Sequence, residues 1–335
     1  MATIRISFER MKQEFERVLL KVGFTVDRAD RLAGVFTQNS LDGVASHGWN
    51  RFPVLIDQIA QGYLNVDAEP EKVAAFGAWE QWDARLGPGP LNALFATDRA
   101  MALAREHGIG CVGLKNTNHW MRAGTYGRKA AEAGFVFLCW TNATPTMAPH
   151  GGRDIRLGNN PLVVAVPKDD GPIVLDMAMT QFAFGKLEVA RRTGEQLPVP
   201  GGFDAQGQPT RDPTAILEGG RALPIGYWKG SGLALLLDIT AALISGGRST
   251  YQIVQHPVEH DISQVFIAFD VSQASSAALI EQTVDEIIQD LHATTPDGEG
   301  QKVLYPGERV LNTRQKNLEQ GIPIDAAAWQ QIQEM

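Results

Sequence analysis

Gly108-Ile109-Gly110-Cys111-Val112-Gly113 carries the letters of the G-x-G-x-x-G dinucleotide fingerprint, and its neighbours decide against that reading. The fingerprint works only when a strand leads into it and a helix leaves it, so that the helix N-terminus meets a pyrophosphate. Here the order is reversed. Leu91 to His107 is an alanine-rich helical stretch, and Cys111 to Leu114 is a short apolar strand. Gly108 then reads as a helix cap and Gly110 as part of the turn into the strand. No Rossmann sheet is expected, and a dinucleotide would need another scaffold.

Upstream of this point the chain reads as helices. Phe8, Met11, Phe15, Val18 and Leu19 recur at spacings of three and four, with Ser7 placed to cap, which predicts a helix over 8–20. Val26 to Ser40 repeats the pattern with Ala29, Leu32, Ala33 and Phe36. A third helix is expected from about Ser46, with Phe52, Leu55, Ile56 and Ile59 inward, Pro53 in its first turn and Gly62 at its end. Short strands are expected around Val73–Phe76 and Gln81–Ala84.

Downstream, Gly124 to Ala133 reads as a helix and Phe135 to Thr141 as a buried strand. Pro161–Pro167 and Ile173–Met177 form a hairpin through Lys168-Asp169-Asp170-Gly171. Residues 196–226 read as loop. Gly230–Ser245 is an apolar helix, Val265–Phe269 a strand and Ala277–Ala293 a helix, and 303–335 holds a loop and short helices. Strands and helices do not alternate regularly, so the expected class is α+β with discontinuous domains. Residues 1–70 form a helical region, 71–245 a mixed-sheet domain, and 246–335 a strand and helices returning to the first.

The 335 residues are 44% hydrophobic and 20% charged, ample for a packed core. The net charge of −8 repels phosphate backbones, so no nucleic-acid partner is expected. Cys111 and Cys139 lie in apolar strand-like runs and read as free buried thiols. No signal-peptide pattern opens the chain, and the longest apolar run, Gly232 to Ile244, is short and contains Asp238. The expectation is a cytoplasmic protein with no membrane partner. The seven histidines show no metal-ligand spacing, and no G-x-S-x-G elbow or P-loop is present.

Five segments carry candidate chemistry. In Ser46-His47-Gly48-Trp49-Asn50-Arg51, His47 and Arg51 are four apart at an expected helix start and would share a face. Histidine exchanges protons near neutral pH and arginine clamps a carboxylate. An imidazolium beside Arg51 needs a carboxylate nearby. The alternative is a helix cap beside a solvated arginine. Asn118-His119 enters a helix after a strand, a place suited to an anion or to a hydrogen-bonded loop histidine. Gly158-Asn159-Asn160-Pro161 offers amide groups or simply a tight turn. Asp176 sits in an apolar strand and needs either a partner or a helix to cap. Gly226-Tyr227-Trp228-Lys229-Gly230 suits a phosphate-plus-ring ligand, or a helix entry with a packed indole.

Taken in order, Ser46-His47-Gly48 with Arg51-Phe52, Asn118-His119, Gly158 to Pro161, Asp176-Met177-Ala178 and Tyr227 to Gly230 resemble the type 2 malate/L-lactate dehydrogenase family, which is distinct from the Rossmann lactate dehydrogenases. The resemblance implies a non-Rossmann NAD-binding fold, a homodimer, and reduction of a small-molecule 2-keto acid with NADH or NADPH. Around Ser46–Pro53, Asn118–Arg122 and Leu197 to Asp204 it points to a 2-keto sugar acid. Malate, lactate, ureidoglycolate and cyclic imino acids are the other substrates it admits, and a non-catalytic sugar-acid binding protein is the alternative of a different class. His47 resembles the family's proton donor, with Ser46 beside it, Asp176 its acidic partner, and Arg51 a ligand of the substrate carboxylate. The implied cofactor contacts are His119, Asn160, Pro172, Ile173, Val174, Leu175, Asp176, Met177, Ala178, Trp228, Lys229, Gly307, Glu308 and Arg309. Glu308-Arg309 departs from the family's Gly-His-Glu pattern.

Overall fold

The structure, a computed structural model, describes residues 3–219, 221–255, 258–298 and 300–335. After a short strand, β1 (Thr3–Ile6), come α1 (Phe8–Lys21) and α2 (Val26–Leu41). Ser7 caps α1 by accepting from Arg10 N–H, and the apolar stripe Met11, Phe15, Val18 and Leu19 is buried. Phe15 stacks on Phe52 at 4.3 Å and Phe36 meets Phe52 edge-on at 5.3 Å, which ties α3 (Phe52–Ala60) to the first two helices.

Next come β2 (Glu71–Phe76), β3 (Trp79–Asp83), α4 (Gly89–His107), β4 (Ile109–Thr117), α5 (Gly124–Glu132) and β5 (Val136–Thr141). Gly108 caps α4 at φ +83° and β4 follows at once, the reverse of a dinucleotide fingerprint. Two short strands, β6 (Pro145–Met147) and β7 (Leu157–Gly158), precede the hairpin β8 (Leu162–Val166) and β9 (Ile173–Met177). α6 (Phe184–Thr193) follows, and within residues 196–226, expected as loop, lie the ribbon β10 (Gly202–Phe203) with β11 (Pro209–Thr210) and α7 (Pro213–Gly219), so that stretch is more ordered than its Gly and Pro content predicts. The remainder is α8 (Trp228–Ser245), α9 (Thr250–Ile253), β12 (Ile262–Phe269), α10 (Ala277–His292), α11 (Glu308–Gln320), β13 (Ile322–Asp325) and α12 (Ala326–Glu334).

One mixed sheet runs β2-β3-β4-β12-β5-β8-β9. Only the β3–β4 pair is parallel. The strand expected to return with the C-terminal segment to the helical region, Val265–Phe269, lies instead in the middle of this sheet, as part of β12 between β4 and β5. Its run of Val265, Phe266 and Ala268 is fully buried, and a central strand needs cover on both faces. Helices α4 and α5 cover one face with Ala96, Ala100, Tyr126 and Ala130, and α8 covers the other with Ala234, Leu237 and Ala241. The C-terminal β13 pairs with β1, and Trp329 and Ile332 of α12 join the core of α1 and α2.

α8 is longer than the sequence suggested. It spans 18 residues at a mean hydropathy of 1.2, and 33% of it is buried, so by length and composition it meets the requirement for a membrane-crossing helix. Its Asp238 accepts from Asn142 Nδ2 at 2.9 Å and Thr250 N–H at 2.8 Å, and one face packs on the sheet. Both cysteines are free thiols, Cys139 fully buried and Cys111 partly so.

Candidate active site

β9 is the outer strand of the sheet, and β8 pairs with only one of its edges. In an antiparallel pair successive residues alternate between bonding the partner and facing away. Val174 N–H donates outward to Pro306 O at 3.0 Å, so by alternation Asp176 also turns its backbone outward. Gly307 follows Pro306 at φ +97°, and a Cβ there would stand 3.1 Å from Val174 N, so glycine suits both the backbone and the space. Just past β9, Met179 O accepts from Ile225 N–H at 2.9 Å, three residues before α8 begins at Trp228. Segments 172–178, 228–229 and 307–309 therefore gather along one strand. A small hollow between the 172–178 and 307–309 segments is lined by Arg122, Gly124, Pro172, Val174, Gly307 and Leu311.

Asp176 lies on the face of β9 that α5 crosses. Its Oδ2 accepts from Gly124 N–H, the first residue of α5, at 2.9 Å, and Arg122 Nε lies 3.5 Å away. A Cβ on Gly124 would come within 2.7 Å of that oxygen, so the missing side chain permits the bond. The helix N-terminus and the guanidinium are both positive toward the carboxylate and hold it in place. Arg122 also pairs with Asp42, which is 5% exposed and shared with Arg314 Nη1 at 2.8 Å.

His47 occupies the 3₁₀ turn Ala45–His47, and Ser46 Oγ stands 2.9 Å from its Nδ1. Nε2 is the nitrogen left to exchange a proton with a ligand. The ring stacks on His119 at 5.7 Å with planes 20° apart. His119 Nδ1 accepts from Met121 N–H at 3.0 Å, which places the His119 proton on Nε2. Burial lowers the His47 pKa, the Asp176 carboxylate acts to raise it, and Arg51 and Arg122 lower it further. Burial, then the charges of His47 and Arg51, hold His119 well below the ordinary histidine value. Arg51 stands at the start of α3, near enough to act on both imidazoles, and among the described residues it has no carboxylate partner.

Several expectations change. His47 and Arg51 do not share a helix face, because Gly48, at φ −112° and ψ −126°, breaks the turn and Pro53 fixes the start of α3 at Phe52. Asp176 does not hold the imidazole by a hydrogen bond. Ser46 does that, and Asp176 acts through its charge. Asp176 caps no following helix either. Asn160 is fully buried, with Oδ1 accepting from Ala143 N–H at 3.0 Å and Nδ2 donating to Ala234 O at 2.8 Å, so its side chain is framework, not cofactor contact. Glu308 opens α11 and spends its carboxylate on Tyr305 N–H at 3.1 Å and His292 Nε2 at 3.0 Å. Trp228 is 65% exposed, and Tyr227 before it holds φ 57° and ψ −111°, a costly conformation of the kind found at functional sites. Sequence reasoning missed Arg122, Asp42 and Gly185. Gly185 packs on Ser46, where a Cβ would stand 2.9 Å from Ser46 Cβ. Arg122 lies in the quoted Asn118 loop, but nothing local marks Asp42.

A family profile described as malate/L-lactate dehydrogenase matches residues 6–333. The chain belongs to the malate/L-lactate dehydrogenase family. It is 42% identical over 332 residues to 2,3-diketo-L-gulonate reductase of Citrobacter koseri, covering 98% of this chain and 99% of the other. Among solved structures, sulfolactate dehydrogenase of Methanocaldococcus jannaschii superposes with a TM-score of 0.91 at 31% identity, covering 99% of this chain and 96% of that one. Malate dehydrogenase of Pyrococcus horikoshii OT3 gives a TM-score of 0.90 at 27% identity, covering 99% and 94%. As a malate/L-lactate dehydrogenase family member the chain is an oxidoreductase of hydroxy and keto acids, in a pyridine-nucleotide-dependent family.

Proposed function

We propose that this chain reduces the C2 ketone of 2,3-diketo-L-gulonate to 3-dehydro-L-gulonate with NADH, or with NADPH. The observation that carries this reading is the 42% identity to 2,3-diketo-L-gulonate reductase over nearly the whole chain, together with His47, Ser46 and Arg51 standing near Asp176 in one site. The residues fit a dinucleotide. The exposed Trp228 offers an aromatic face, and the exposed Lys229 beside it a cation for phosphate. When bound, the reduced nicotinamide supplies hydride.

The chain's own residues do the rest. Arg51 fixes the substrate carboxylate through paired N–H donors, which orients the neighbouring ketone. As charge grows on the ketone oxygen, His47 donates its Nε2 proton there. Ser46 Oγ accepts from Nδ1–H and holds the ring while Nε2 acts. Asp176 favours the charged imidazole and offsets part of the opposing effect of burial and the two arginines. Neutral His119 backs the ring and presents an Nε2–H donor.

We also infer a homodimer of a cytoplasmic enzyme. The outer stripe of α8, with Leu235, Leu236, Ile239 and Leu243 exposed, is an apolar face that suits a second copy. The test of function is a substrate panel with NADH and NADPH, read at the nicotinamide absorbance. The reading expects 2,3-diketo-L-gulonate to give the highest kcat/KM. Faster turnover of malate, lactate, ureidoglycolate or a cyclic imino acid would replace it with that activity.

A further inference from the structure

We infer that Thr125 and Asn39 are positioning residues that set the spacing between His47 and Asp176. The two functional side chains come from different parts of the chain and share no hydrogen bond. A short path joins them through the first turn of α5. Gly124 N–H donates to Asp176 Oδ2 at 2.9 Å. The next residue, Thr125, donates its hydroxyl to Asn39 Oδ1 at 2.5 Å. Asn39 Nδ2 then donates to His47 O at 2.8 Å. Asn39 is fully buried, so its amide has no water to fall back on and its orientation is dictated by these two partners.

Adjacent residues of one rigid helix turn thus grip both halves of the site. Gly124 locates the carboxylate, and Thr125, through Asn39, locates the backbone that bears the imidazole. The groups acting electrostatically on His47 are Asp176, Arg51 and Arg122, with neutral His119 stacked on its ring. Without the Thr125 hydroxyl, Asn39 loses the bond that orients its amide toward the His47 turn. Although Ser40 Oγ still accepts from Trp49 N–H, His47 then shifts slightly from Asp176, which weakens the one attractive charge and leaves the two arginines.

The inference rests on the proposed reductase reading, and its test separates the two. Thr125→Val removes the hydroxyl and keeps the shape, and Thr125→Ser restores the hydroxyl. Steady-state turnover is measured beside the His47 imidazole titration by NMR in the enzyme without substrate. In Thr125→Val, kcat is expected to fall about tenfold, while the keto-acid KM and the NADH Kd stay within about twofold. The His47 pKa is expected to drop by about half a pH unit, and Thr125→Ser to recover both. An unmoved His47 titration in Thr125→Val, or a loss that Thr125→Ser does not recover, overturns the inference. If Thr125→Val does not fold, Thr125→Ala read by the same titration replaces it. Wild-type protein that leaves NADH unconsumed with every keto acid overturns the reductase reading alone, because the NMR comparison still stands.

Discussion

His47 and His119 stack with ring centres 5.7 Å apart and planes 20° from parallel, so the two imidazoles share one half-buried stack in which charge on one disfavours charge on the other. Reduction needs His47 protonated. Burial, first among the causes, puts its pKa below the ordinary 6.5. The kcat/KM for keto-acid reduction is therefore expected to fall as pH rises through a value below 6.5, and hydroxy-acid oxidation to rise over the same range. A bound carboxylate on Arg51 neutralises one of the two repelling arginines, so the limb of kcat should lie at higher pH than that of kcat/KM. Profiles in both directions check this, and a reduction rate rising with pH would contradict it.

Ser46 is the hydrogen-bond partner of the His47 ring. Ser46→Ala should lower kcat by about tenfold, with the NADH Kd unchanged, because a misoriented acid transfers its proton less efficiently. Steady-state kinetics beside NADH fluorescence titration separates the two effects.

Arg51 stands in the site with no carboxylate partner of its own among the described residues. Arg51→Met should raise the KM for the keto acid by roughly 10- to 100-fold, the loss of a charge-assisted bond of about 1.5–3 kcal/mol. A KM that does not move would remove Arg51 from carboxylate binding.

Asp42, at the end of α2, joins Arg122 just before α5 and Arg314 of α11 while nearly buried. Asp42→Asn takes from buried Arg122 and half-buried Arg314 their shared counter-charge, leaves Arg122 only Asp176, and should cost about 1–3 kcal/mol of stability. It should also lower kcat, since Arg122 would no longer be steadied beside Asp176. Urea denaturation and turnover of the same variant test both halves.

How much of this was legible depended on how local the cause is. The stripe of Met11, Phe15, Val18 and Leu19, the cap at Gly108 and the Lys168–Gly171 turn are read within a few residues, and each stands as expected. The start of α3 was misplaced because Gly48 and Pro53 outweigh the apolar spacing around them. The central position of β12 depends on partners about 130 and 150 residues away. α6, with its mixed Lys, Glu and Arg, shows little apolar periodicity and takes its order from Leu187 and Ala190 packing on Leu197 and Ile216. His47, Arg51 and Asp176 stand out as candidates locally, but their roles and their joining in one site came through family likeness, because nothing in their spacing brings a turn near residue 47 to a strand near residue 176.

The central claim is that His47 supplies the proton while other residues hold the ligands. The most direct measurement is turnover of His47→Ala on its best keto acid, beside its NADH Kd. The account predicts a kcat lower by roughly 10²- to 10⁴-fold with NADH binding retained. A variant that turns over at near wild-type rate would contradict it.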